Sequence, residues 1–217
     1  WATMESERFR DPVFRLFPTE LEAVYEEKNK TMDDADRALD EEVGRRLYKV
    51  HPYGQQTTIG TIESLKNPSL AQMRAFYERW YVPNNMAIVL SGDFDPAQAM
   101  AVIRRHFGDW TPKALPPART WPLPKPDGEE DYSLKFDAEQ KVVIAWPTVA
   151  ASAPDADALT VMDMVLDNSV SGLLDLRLNQ AQKVKDSGSY PQMLDDAGGE
   201  YLGAVPKLGQ TPEQARD

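Results

Sequence analysis

The chain has 217 residues, 41% hydrophobic and 27% charged, apolar enough for a sizeable core and too apolar for disorder throughout. Twenty-four basic against 35 acidic residues leave a net charge of −11, without the basic patch that grips phosphate backbones, which argues against nucleic acid as a partner. There is no cysteine, hence no disulfide, thiolate metal site or thiol nucleophile, and no apolar run reaches the ~18–20 residues of a membrane span.

The first helix signal covers 19–28, where most residues are good helix formers. Met32, Ala35, Leu39, Val43 and Leu47 recur at three- and four-residue steps and predict a second amphipathic helix over 32–48. The acidic group Asp33, Asp34 and Asp36 at its start suits the positive end of the helix dipole and needs no cation. His51 to Thr58 breaks the period and reads as an ordered loop, with His51 a packing residue of that loop. Leu70, Met73, Phe76, Tyr77 and Trp80 mark the next helix, with Pro68 near its first turn. Met86–Leu90 reads as a buried strand, and Asp95-Pro96 caps and opens a helix that Gly108 ends. His106 near that end favours the dipole, and Trp80, Tyr81 and Trp110 read as core.

Six prolines between Pro112 and Pro126 form a stiff linker. Beyond it, 132–136 alternates as a strand, and 141–146 is a second strand halted by Pro147. A helix carrying Leu159, Met162 and Leu166 follows, then another from Ser171 with Leu174 and Leu178. Two β-like segments, 190–194 and 201–205, flank Gly198-Gly199, and Asp195-Asp196 reads as a turn. Helices and strands are mixed without βαβ alternation, so the predicted class is α+β, with a hint of two copies of one fold. Thr211-Pro212-Glu213-Gln214 spells a helix start three residues from the last one, and Trp1 is not an initiator methionine; the expectation is a piece of a longer polypeptide.

Chemistry-bearing residues are sparse. The only histidines, His51 and His106, belong to no HxxEH or HExxH pair, and no nucleophile elbow or phosphate loop appears. Glu20 and Glu27 are seven apart, which on a helix leaves them ~20° out of line and ~10.5 Å apart along the axis. That separation is too long for both to hold one ion at ~2 Å; one carboxylate can be a ligand and the other its support.

The string Glu20-Leu21-Glu22-Ala23-Val24-Tyr25-Glu26-Glu27 resembles the helix that delivers the third zinc ligand in the pitrilysin, insulysin and mitochondrial-processing-peptidase family. The likeness continues through His51-Pro52-Tyr53-Gly54, Gly60 to Leu65, Phe76 to Met86, Ser91 to Asp95, His106 to Trp110, Lys141 to Pro147 and Ser171 to Leu178. It implies a metallopeptidase-type α/β roll, antiparallel or mixed sheets flanked by helices in two related subdomains. Residues 1–111 would be the C-terminal part of a zinc-bearing first domain, 112–127 a linker, and 128–217 the first part of a second, similarly folded domain. Glu27 matches the zinc ligand and Glu20 the carboxylate that orients a zinc histidine.

The HxxEH helix, with the general base, is expected upstream of Trp1, so no catalytic residue falls in this chain. The family's other half carries an arginine and a tyrosine seven apart; here Arg177 is followed by Val184, as suits a zinc-bearing half. The resemblance thus implies an internal fragment of a bacterial zinc endopeptidase of peptides or unfolded chains, inactive and without zinc by itself. The alternative is a non-catalytic homologue serving as the structural or partner-binding half of a two-part peptidase. Expected partners are a peptide substrate, the missing N-terminal segment and a second homologous half. Self-association is expected because apolar surface around Met86–Leu90 would lack its cover. Periplasm or cell envelope follows from the resemblance alone.

Overall fold

The computed structural model describes residues 1–123, 125 and 127–217. Prolines 124 and 126 of the predicted linker lie outside the described residues. The chain divides into two packing units, residues 1–28 with 59–120 and residues 29–58 with 121–217.

The first unit is built, among the described residues, from helices. They are α1 (Ala2–Arg10), the start of α2 (Phe17–Met32), α5 (Ile62–Lys66), α6 (Leu70–Trp80) and α7 (Pro96–Phe107). Their starts are fixed locally. Thr61 and Ser64 form a capping box for α5, Ser69 and Gln72 one for α6, and the Asp95 carboxylate accepts from Gln98 N at the head of α7. Pro68 stands immediately before the α6 cap, near the first turn as read.

Helix α1 carries no strong apolar period and has no counterpart in the sequence reading. It is held by tertiary contacts. Arg10 clasps Asp109 through both guanidinium nitrogens at 2.8 and 2.9 Å and lies over the Trp110 ring, while Tyr77 Oη donates to Phe9 O at 2.9 Å. Tyr81 departs from its expected core place: it is 45% exposed, with one ring face stacked on Tyr77.

The predicted strand at 86–90 is also corrected. No strand forms there, and Ile88 and Val89 are 42% and 87% exposed. An extended segment becomes a strand only when a neighbour takes up its backbone groups, and no strand lies among the described residues of this unit.

The second unit holds a three-stranded antiparallel sheet in the order β1-β3-β2, with β1 Val142–Thr148, β2 Asp186–Met193 and β3 Gly198–Val205. Strand β1 passes through Pro147 rather than stopping at it. Pro147 and Pro191 both sit on edge strands, where a missing N–H can face away from the ladder. The register sorts the side chains. Tyr190, Gln192, Gly199 and Tyr201 share one face, and Thr148, Trp146, Ser189, Pro191 and Glu200 the other.

Helix α3 (Ala35–Tyr48), capped by the Asp34 carboxylate on Asp36 N and Arg37 N, covers the first face. Leu47 comes so near the sheet that a Cβ on Gly199 would stand 3.0 Å from its Cδ2. Helix α8 (Ala156–Leu166) covers the second face, where Asp163 Oδ1 accepts from Ser189 Oγ at 2.5 Å and Asp167 Oδ2 from Ser189 N at 3.0 Å. The unit ends in α9 (Pro212–Arg216), opened by the Thr211–Gln214 capping box read from sequence.

Three further expectations change here. The loop after α3 contains a short helix, α4 (Pro52–Gln55), because Pro52 presets the helical φ and His51 caps it. The helix expected from Ser171 widens into a π-helical turn, Asp175–Asn179, whose Gln180 N bonds back five residues to Asp175 O. The predicted strand 132–136 does not join the sheet. Its neighbourhood is tied to α3 by side chains instead: Glu130 binds Lys49 at 2.8 Å and Arg46 lies 3.8 Å over the Tyr132 ring. A cavity of about 1110 Å³ is left between this segment, α3 and β1.

Strand β1 therefore keeps an unpaired edge among the described residues, and the first unit displays the bare apolar run 86–90. Both are sites of edge pairing and apolar association. The isolated chain is expected to form oligomers that grow with concentration. Light scattering checks this, and a constant monomeric mass would contradict it.

Candidate functional site

Helix α2 runs unbroken over sixteen residues, from Phe17 to Met32, which puts Glu20 and Glu27 on one face two turns apart. Both are exposed, while the neighbouring Lys28 is buried. Glu20 lies in the first turn, where a carboxylate also favours the helix dipole. Among the described residues no three His, Asp or Glu side chains gather so as to hold a metal. A catalytic zinc takes three protein ligands, and no such trio is gathered among the described residues. Glu27 offers one exposed carboxylate, with that of Glu20 two turns away on the same helix face.

The histidines are accounted for structurally. His51 is 1% exposed and caps α4 by accepting Tyr53 N on Nδ1 at 3.2 Å. Its Nε2 stands 3.4 Å from Asp196 Oδ2 in the β2–β3 turn, and Tyr53 Oη accepts from Asp196 N at 3.2 Å. His51 thus packs the loop, as expected, and reaches Asp196 in the turn that joins β2 to β3. His106, in the last turn of α7, has its carbonyl oxygen engaged by Arg10 at 3.1 Å.

Several motif residues that carry the family likeness serve the fold. Asn84 pairs reciprocally with Lys113, its Nδ2 donating to Lys113 O and its Oδ1 accepting from Lys113 N. Asn85 Nδ2 donates to Trp80 O, and Asp109 receives Arg10. Arg177 is exposed on the π-helical turn, and Val184 is a 4%-exposed core residue.

The most perturbed acid is one the sequence reading did not single out. Glu200, in the central strand, is fully buried, and no donor group meets either of its oxygens; its hydrogen-bonding neighbour is another carboxyl, that of Asp163. Burial, and then the charge of Asp163, push its carboxyl up to about 7. The available signal was a single charge inside the Gly- and apolar-rich run Gly198–Val205.

The sequence pattern of the family described as "Peptidase M16 inactive domain" matches residues 68–204, from just before α6 to near the end of β3. This chain belongs to that family. Its M16 relatives include the probable zinc protease PqqL of Escherichia coli, 32% identical over 84 residues, which are 39% of this chain and 9% of PqqL. An uncharacterized zinc protease of Mycobacterium leprae is 30% identical over 160 residues, 71% of this chain and 35% of that protein. The chain thus spans about a third or less of the length of these relatives.

Among solved structures it is similar to a protease from Helicobacter pylori, at 23% identity and a TM-score of 0.77 over 88% of this chain and 48% of that one. It also resembles an M16 inactive domain from Pseudomonas fluorescens, at 19% identity and a TM-score of 0.74 over 95% and 50% of the two chains. These likenesses establish the M16 domain fold and the expected α+β class. Among the described residues no helix is long and apolar enough to cross a membrane.

Proposed function

We propose that this M16 chain forms part of a zinc-dependent bacterial endopeptidase acting on peptides or unfolded chains, in the periplasm or cell envelope. The observation that carries the reading is the family match over 68–204, joined to relatives named zinc proteases. One structural neighbour, PqqL, is named a periplasmic protease. In this reading residues 1–111 belong to the zinc-bearing first domain, 112–127 link, and 128–217 begin a second, similarly folded domain. Glu27 is the anionic zinc ligand and Glu20 the support of a zinc histidine. The histidines, the general base and a second homologous half come from polypeptide outside these 217 residues. Support for the two carboxylates comes from the unbroken α2, which aligns them on one face and leaves both open to a completing segment.

A single carboxylate ligand does not retain zinc against a chelator. The 217-residue chain, dialysed against zinc and then passed through a chelating column, is expected to keep well under one equivalent and to leave a quenched peptide uncut. Stoichiometric zinc in monomeric chain, measured by atomic absorption, would overturn the assignment of Glu27 to a site completed from outside.

A further inference from the structure

Glu200 faces Trp146 of β1 and Pro191 of β2, on the side of the sheet that α8 covers. It is 0% exposed, and no donor reaches either oxygen. An unpaired ionised carboxylate costs several kcal/mol in such a place. The groups around it supply no counter-charge. On α8 the side chain within hydrogen-bonding reach is Asp163, another acid, held by Ser189 Oγ; Asp157 lies in the first turn of the helix, and Asp167 at its end is bonded to Ser189 N.

Strand β1 has no titratable residue from Val142 to Thr148, and Thr148 Oγ1, on the same face as Glu200, is itself buried without a partner. On β2, Asp186 and Tyr190 belong to the opposite face, and Lys185 just before it is paired with Glu139. The influences acting on Glu200 are burial and Asp163, with no basic group among them. A metal ion fits poorly, since calcium takes six to eight oxygens and no three-ligand group exists among the described residues.

We propose that Glu200 carries a proton and donates it to Asp163, so that a carboxylic acid–carboxylate hydrogen bond fastens α8 to the central strand and is released as the pH rises. Two carboxyl groups sharing one proton are a stable buried arrangement where two charges are not. The sign of the linkage follows from the raised folded value. Unfolded, Glu200 titrates near 4.5; folded, near 7. Between these values the folded chain binds more protons, so the stabilisation is complete below about 4.5 and is lost as the pH climbs through about 7.

The test uses the whole 217-residue chain with 13C-labelled glutamate, the Glu200 carboxyl signal being assigned by its disappearance in Glu200→Gln. The expected midpoint is near 7, and a midpoint in the ordinary carboxylate range overturns the proposal. Denaturant unfolding of the parent should lose up to about tenfold in equilibrium constant per pH unit between 5 and 7. In Glu200→Gln, whose amide still donates to Asp163, that loss should vanish; an unchanged pH slope overturns it. If Glu200→Gln does not fold, Asp163→Asn takes its place: the Glu200 midpoint should fall, and an unmoved midpoint refutes the shared proton.

Discussion

On the proposed function, Glu27→Gln in the full-length protein should bring peptide hydrolysis down to background and strip bound zinc during chelation, with no change in the folding of the metal-free protein. The amide keeps the size of the side chain but is a poor zinc ligand, and hard carboxylate character is what a third ligand contributes. Glu20→Gln should cost roughly 10–100-fold in activity or metal affinity, the range for a group that only orients a ligand. The control is built into the exposure of both residues: surface changes of this kind stay within about 0.5 kcal/mol of parent stability. Melting curves of the metal-free proteins should therefore superimpose, while the activities of the zinc-supplied proteins separate. Full activity in Glu27→Gln would remove the zinc-ligand assignment, and equal losses in the two variants would erase the distinction between ligand and support.

The largest stability effect is expected at Tyr48. Its side chain is 2% exposed at the end of α3, its ring meets Tyr53 edge-on at 5.6 Å, and its Oη donates to Gln192 Oε1 at 3.2 Å. Tyr201 Oη donates to the same oxygen at 3.1 Å and stacks on Tyr190. Burial raises the Tyr48 and Tyr201 phenols above the ordinary tyrosine range, so both stay neutral donors. Tyr48→Ala removes the ring that seats α3 on the sheet and should cost about 3–5 kcal/mol, as for other buried aromatics. At roughly 2–4 °C per kcal/mol for a chain of this size, the melting temperature should drop by about 6–20 °C. Tyr48→Phe should cost only about 0.5–1.5 kcal/mol. Calorimetry of the three proteins separates packing from hydrogen bonding, and a Tyr48→Ala loss below about 1 kcal/mol would show that α3 is seated by other contacts.

Features set by neighbouring residues were legible in the sequence. Asp95-Pro96 at α7 and Thr211-Pro212-Gln214 at α9 cap their helices as read, because capping is decided within four residues. Met86–Leu90 and Tyr132–Phe136 are not strands for the converse reason: each has a suitable composition but needs a ladder partner that local pattern cannot supply. Helix α1 was invisible because Arg10 and Phe9 are anchored by Asp109 and Tyr77, distant in sequence. For the candidate site, the seven-residue spacing of Glu20 and Glu27 and their helix could be read, but a ligand role depends on groups beyond this chain. Glu200 escaped because burial of a charge depends on what α8 lays over it, not on its own neighbours.

The chain crosses between its packing units three times, inside α2, after Thr58 and after Thr120. Helix α3 is thus covalently upstream of the proline-rich linker yet packed on the sheet that follows it. A protease that nicks the linker does not free a self-sufficient C-terminal half. The downstream product would leave with one sheet face bare, while its natural cover stayed on the other cleavage product, so the nicked halves have a reason to remain associated until denatured.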